Sequence, residues 1–294
     1  MDLGKMARGL DHISHAVHDL DAAGALYERL GFIVGARNRH SWGTHNRVIQ
    51  LDRFYIELLT VGEPERIPPH RPRSFSFGAF HRDFLGRGQG LDMLLLDGRD
   101  AAADAAAFAA AGIGDFDIFR FEREGRRPDG SAIHLAFSLV FATDPRAPDV
   151  GFVSCQHHHA PENFWNPAFQ AHRNGATGVA GVVMVAENPS DHHIFLSAFT
   201  GERELLATSS GVTVTTPHGF IQVMEPAIYA RQFGVPPPDI AEGARVAALV
   251  LNVRDIAAVA AMLDNAGIGA QTRMGRVVVG PQAAMGAAIM FAQP

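Results

Sequence analysis

Cysteine occurs once in this 294-residue chain, at Cys155, and lysine once, at Lys5. A single thiol excludes an intrachain disulfide framework and a cysteine-based structural zinc site. No apolar run reaches the ~18–20 residues that a membrane-spanning helix needs, and the opening MDLGKMARGLDH has no signal-peptide core. Thirty-one acidic against twenty-five basic residues leave a net charge of −6, which argues against general nucleic-acid or membrane-surface binding. Charged residues make up only 19% and hydrophobic ones 47%, a composition that supports a packed core and excludes disorder for the bulk of the chain. The expectation is a soluble cytoplasmic protein with a small molecule as its partner. What is abundant is histidine, with fifteen copies.

The chain repeats itself. Gly9-Leu10-Asp11-His12 opens one apolar run, and Gly90-Leu91-Asp92-Met93 opens another 81 residues later. Each run is followed by an acidic start and a helical pattern that ends in glycine, AAGALYERLG up to Gly31 and AAADAAAFAAAG up to Gly112. Short apolar or alternating segments come next: 32–37, 46–51 and 54–61, then 116–123, 133–142 and 150–156. The order recurs from GVAGVVMVA (178–186), with a short helix over 189–200, and from VAALVLNV (246–253), with a helix over 255–267. Irregular segments separate the units near 62–89, 157–177 and 226–244. This predicts an α+β fold of four βαβββ modules, paired into curved mixed sheets with outer helices and a concave cup. The expected division is 1–157 as a module pair with the site, 158–177 as linker, and 178–294 as a second, metal-free pair.

The phrase LDHISHAVHDLDAAGALYERLGF, followed by YIELL, resembles the vicinal oxygen chelate superfamily, which includes glyoxalase I, extradiol dioxygenases and antibiotic-resistance proteins. The stretches HSWGTHNRVIQL and CQHHHAPENFWNPAFQAHRNGA resemble its glyoxalase-like members. The resemblance implies metal ligands on the first and last strands of paired units, facing the concave surface. It places His12 at the first-strand position and Glu57, in FYIELL, at the last-strand position. The matching first-strand place of the second unit is Met93, which cannot replace an imidazole for a hard divalent ion.

The second unit's last strand exits through Gln156, His157, His158 and His159. Strand parity puts Cys155 and His157 on one face, so His157 is the chosen third ligand, and Gln156 is the alternative that a bulge would substitute. Two histidines and a carboxylate suit one divalent transition metal, Fe2+, Zn2+ or Mn2+. His40 and Asn46, with Thr44, lie in or beside the strand that pairs with the one bearing Glu57, and they are candidates for orienting substrate or a ligand. His15, three residues after His12, belongs to the opposite face. Asn163, Trp165, His172 and Asn174 fall in a linker that could cover the site. No basic cluster stands out to receive the carboxylates of glutathione.

Two functions fit this reading. One is a metal-dependent enzyme, a glyoxalase-like lyase or isomerase or an extradiol-type dioxygenase, acting on a small molecule with vicinal oxygens. The other is a non-catalytic binding or resistance protein that uses the same cup. The expected assembly is a monomer or homodimer.

Overall fold

The computed structural model describes residues 7–126 and 130–294. The first unit supplies β1 (Leu10–Ala16), α1 (Leu20–Arg29), β2 (Asn38–Arg39), β3 (Thr44–Leu51) and β4 (Phe54–Val61). Helix α2 (Phe77–Leu85) leads into the second unit, which holds β5 (Gly90–Gly98), α3 (Ala101–Ala110), β6 (Phe119–Arg126), β7 (Ala132–Ala142) and β8 (Gly151–His157). After the single turn α4 (Pro161–Phe164), the third unit runs β9 (Ala176–Val185), α5 (His193–Thr200), β10 (Leu205–Thr208), β11 (Gly211–Thr215) and β12 (Phe220–Met224). Helix α6 (Pro226–Phe233) precedes the fourth, made of β13 (Arg245–Val253), α7 (Ile256–Asn265), β14 (Ala270–Arg273), β15 (Arg276–Val279) and β16 (Ala288–Ala292).

Local chemistry explains the repeated strand-to-helix step. Asp19, Asp100 and Asp255 each cap the helix that follows, accepting backbone N–H groups two and three residues on. Gly31 and Gly112 take φ of +88° and +69° just past α1 and α3, a conformation that costs glycine nothing.

The four units make two eight-stranded mixed sheets, ordered β2-β3-β4-β1-β5-β8-β7-β6 and β10-β11-β12-β9-β13-β16-β15-β14. Consecutive units therefore pair with each other. At the centre of the first sheet β1 and β5 run antiparallel, while β4 lies parallel to β1 and β8 parallel to β5. One apolar cluster joins the helix-bearing faces of both sheets, with Phe152 against Phe195 and Phe199, and Phe32 against Phe291. Each cup face has its own cluster.

Three segments depart from the sequence reading. Residues 32–37 do not form a strand: Phe32 turns into the core, and only Asn38–Arg39 pairs with β3 at the sheet edge. The irregular segments near 62–89 and 226–244 contain α2 and α6, which are short and each border a Pro-rich stretch, so their helical period spans too few turns to stand out. Their placement matters. In the second half, Tyr229 and Phe233 of α6 fill the cup against Val183, Val185, Val250 and Met290. In the first half, Phe77 of α2 enters the cup cluster, and a cavity persists beside it.

Candidate active site

The pairing of β1 with β5 slips at two places. Leu10 faces Leu96 while His12 faces Leu95, which leaves Asp11 as an extra residue on β1. Ser14 faces Met93 while His15 faces Leu91, which leaves Asp92 as an extra residue on β5. A bulge breaks the alternation of faces, and here it lets Asp11 and His12 approach one another on the cup side. Leu10 and Ile13 still enter the helix-side core. His15 also faces the helices, with Nδ1 2.9 Å from the Tyr27 hydroxyl.

The His12 Nδ1 meets the Asp11 carboxylate in a short contact. With Nδ1–H donating there, the Nε2 lone pair faces the cup, 3.1 Å from the Tyr55 hydroxyl and 4.0 Å from Glu57 Oε2. The imidazole is further fixed by stacking on Tyr55, with ring centroids 4.0 Å apart. On the other side of Glu57, Asn46 Nδ2 donates to Oε1 at 2.5 Å and lies 3.4 Å from His40 Nε2. His40 Nδ1 in turn lies 2.8 Å from Thr44 Oγ1, so a neutral His40 completes the chain as donor to Thr44 and acceptor from Asn46. His12, Glu57, Asn46, His40 and Asp11 are all buried. Sheet register explains the grouping, because Val48 and Asn46 of β3 pair with Glu57 and Leu59 of β4, and His12 pairs with Tyr55.

His157 stands with Asp11, its Nε2 3.3 Å from Asp11 Oδ1. Among the described residues, the group of three potential metal ligands whose donor atoms all lie within 4.8 Å of one another is Asp11, Cys155 and His157. His12, Glu57 and His157 do not gather in that way, and Asp11 stands between the two imidazoles. Gln156 faces the helices: its Oε1 accepts from Ala101 N at 2.9 Å and its Nε2 donates to Arg99 O at 2.8 Å. His158 and His159 are tied to β7, through Ser138 Oγ and the Ala136 backbone. At the matching places of the second unit, Met93 and Val153 belong to the apolar cup cluster.

The electrostatics follow from burial and neighbours. Burial favours a protonated Asp11, but the His157 and His12 imidazoles outweigh it and hold this carboxyl well below the usual carboxylate range. Burial likewise lowers His157, yet the Asp11 and Asp97 carboxylates overcome it and raise the net value. His40 is pushed down to about 4 by burial, against the opposing pull of Glu57. The Tyr55 phenol and the Cys155 thiol are raised far above their ordinary values, by burial first and then by Asp11 and neighbouring acids. Both keep their protons at neutral pH.

His12, Glu57, Tyr55 and His40 line an inner chamber of about 40 Å³, room for a few water-sized groups. Val48, Arg123 and Phe164 line this chamber and also an outer groove of about 760 Å³. The linker builds the groove's far wall. Gln50 binds Phe164 O and receives Asn166 N, which sets Phe164 and Trp165 in place. His172 and Asn174 anchor the next stretch to Gln50 O and Leu30 O. Sequence reasoning missed two residues here. Asp11 was signalled by the repeated Gly-Leu-Asp, and Arg123 by its alternation with Phe119 and Phe121.

The family profile described as a glyoxalase-like domain matches residues 10–200, the stretch that holds both bulges, the cup and the linker. The chain belongs to the glyoxalase-like domain family. Its fold is that of the vicinal oxygen chelate superfamily. No curated protein matches this glyoxalase-like chain in sequence. Among solved structures it is similar to a hypothetical protein from Staphylococcus aureus, with TM-score 0.66 and 12% identity, covering 98% of this chain and 100% of that one. It is also similar to 2,2',3-trihydroxybiphenyl 1,2-dioxygenase from Sphingomonas wittichii (TM-score 0.54, 13% identity, 98% and 91% covered). A third is the Mn(II)-bound glyoxalase from Novosphingobium aromaticivorans (TM-score 0.53, 11% identity, 97% and 82% covered). At these identities the likeness concerns the fold alone. Among the described residues, no helix is long and apolar enough to cross a membrane.

Proposed function

We propose that this protein is a metal-dependent enzyme acting on a small molecule with two adjacent oxygens, by glyoxalase-like lyase or isomerase chemistry or by extradiol-type dioxygenation. The observation that carries this reading is the pair His12 Nε2 and Glu57 Oε2, buried and 4.0 Å apart in a chamber that opens onto a large groove. Ligand bonds to a transition metal run to about 2.0–2.2 Å, which sets two ligands of one ion about 3–3.5 Å apart, so the pair must close by about 0.5–1 Å to share an ion. The donor set also fits: an imidazole nitrogen with its lone pair turned inward, and a buried carboxylate that needs a cation. Iron, zinc and manganese all accept these donors, and the named neighbours include one manganese-bound glyoxalase and one dioxygenase.

A bound divalent ion would supply Lewis acidity toward the two substrate oxygens. The chain's own residues do the rest. Asp11 holds the His12 tautomer and Asn46 holds the rotation of the Glu57 carboxylate. The protonated Tyr55 hydroxyl donates to His12 Nε2 and would be freed toward substrate if that nitrogen held the ion, while Phe164 and Phe137 give the chamber an apolar wall. We assign the third ligand to His157, whose imidazole pairs with Asp11 in this structure and must turn from it toward Glu57 to join the other two. Residues 1–157 then carry the chemistry, the stretch 158–177 walls the groove, and residues 178–294 support the fold with their cup filled by α6. Both sheets are completed within one chain, so the site requires no second copy.

Elemental analysis of untagged protein tests the proposal. About one iron, zinc or manganese per chain, lost in both His12→Ala and Glu57→Ala, supports it, and full metal in either variant overturns it. One observation favours a second reading, a non-catalytic binding protein: Met93 and Val153 leave the second unit's wall apolar. Tight diol binding without turnover under any metal would select it.

A further inference from the structure

Arg123 projects from β6 at the junction of the inner chamber and the outer groove. Phe121 and Phe119, two and four residues before it on the same strand face, pack into the cup's aromatic wall. The guanidinium is half-buried, and its pKa is lowered from the ordinary value by burial, with Tyr55 and Glu57 partly offsetting this. Arginine stays charged under such a shift. Yet among the described residues no carboxylate lies within ion-pair distance of it, and its guanidinium donates to the neutral Asn38 Oδ1 at 3.4 Å. Other described arginines of this half that leave bulk water are paired, as Arg8 is with Asp104 and Arg47 with Asp21. A half-buried guanidinium without a counter-charge is costly to the folded protein, and an anionic ligand group removes that cost.

We propose that Arg123 selects substrates that carry one carboxylate beside the vicinal oxygens. This deepens the reading of the site given above and rests on it. The division of space supports it. The chamber of about 40 Å³ admits two oxygens and little more, so the body of the substrate must lie in the groove of about 760 Å³, with Arg123 at the boundary. Glu124 and Glu162 line the groove and not the chamber, so they repel an anion that lies reversed, with its charge outward. Arg123 is also the single cationic side chain lining the chamber among the described residues, which matches one carboxylate and not the two of glutathione.

The test uses two diols of the same ring, catechol and 3,4-dihydroxybenzoate, titrated by calorimetry into metal-loaded protein at neutral pH. Wild type should bind 3,4-dihydroxybenzoate at least about tenfold more tightly than catechol, as one charge-assisted contact would give. Arg123→Gln should bring the two affinities within about twofold by weakening the benzoate alone, and Arg123→Lys should fall between. Equal affinities in wild type overturn the proposal, a result that needs no variant to fold. A preference that persists in Arg123→Gln also overturns it. If catechol binds without any preference, only the role of Arg123 fails. If neither diol binds the metal-loaded protein, the vicinal-oxygen reading fails and this inference falls with it.

Discussion

Asp11 and Asp92 sit 81 residues apart in sequence, each as the extra residue of a bulge in the β1–β5 pair, and each binds an imidazole. Asp11 meets His12 and His157, whereas Asp92 meets His81 of α2 at 2.5 Å. The two copies have diverged in what they face. Asp11 orients an imidazole toward a chamber, while the His81–Asp92 pair is fully buried at the end of the cup that α2 closes. The same backbone irregularity, present in both units, thus borders a chamber in one and packing in the other.

Replacing Asp11 by Asn should keep the fold and weaken metal binding. The Nδ1 partner of His12 loses its charge, and carboxylates in this position are worth about 10–100-fold in affinity. Competition with a chromophoric chelator measures it. The matched Asp92→Asn should lower thermal stability and leave metal affinity unchanged. Equal metal affinity in Asp11→Asn and wild type would show that Asp11 does not act through His12.

The two neighbours at the end of β8 should behave oppositely. His157→Ala is expected to lose most of its bound metal and the thermal stabilisation that metal confers. Gln156→Ala should keep the metal and lose about 1 kcal/mol of stability, because its amide makes two hydrogen bonds at the start of α3. Metal retained in His157→Ala would leave only His12 and Glu57 as ligands and favour the binding-protein reading.

Asn46→Ala removes the donor to Glu57 Oε1 and the nearest donor to His40 Nε2. A buried acceptor left unsatisfied costs about 1–3 kcal/mol. Urea denaturation of the metal-free protein should show a loss of that size, and a variant as stable as wild type would mean that the contact is not formed in solution.

His40 makes stability depend on pH in a defined window. Its folded pKa is depressed to about 4 from an ordinary 6.5, so the unfolded chain binds a proton that the folded protein refuses. Stability is therefore full above pH about 6.5 and declines as pH falls toward about 4, by as much as about 3 kcal/mol from this group. Urea midpoints of metal-free protein between pH 8 and 4.5 should follow that direction, and His40→Gln should flatten the slope. An unchanged slope in the variant would rule out His40 as its source.

Tyr229→Ala or Phe233→Ala empties part of the second cup. Large-to-small changes at such buried aromatics cost about 3–5 kcal/mol, yet metal content should stay at the wild-type level, because the second cup holds no proposed ligand. Loss of metal in a variant that remains folded would show that the halves are coupled.

Much is legible in the sequence: the number of units, their order and the extents of α1, α3 and α7. Those signals are local: a capping Asp at 19, 100 or 255, a closing glycine, and alternation along β3, β4, β7 and β8. It also singled out His12, Glu57, His40 and Asn46, and the structure places these in one chamber. Only the folded chain shows that α6 closes the second cup and that Arg123 comes to the chamber from β6, at the far edge of the sheet from β2. It also decided where His157 turns. The reason is register: one extra residue flips every following side chain to the other face, and whether Asp11 is that residue depends on how β1 lies against β5, a partner 81 residues away that no local pattern specifies.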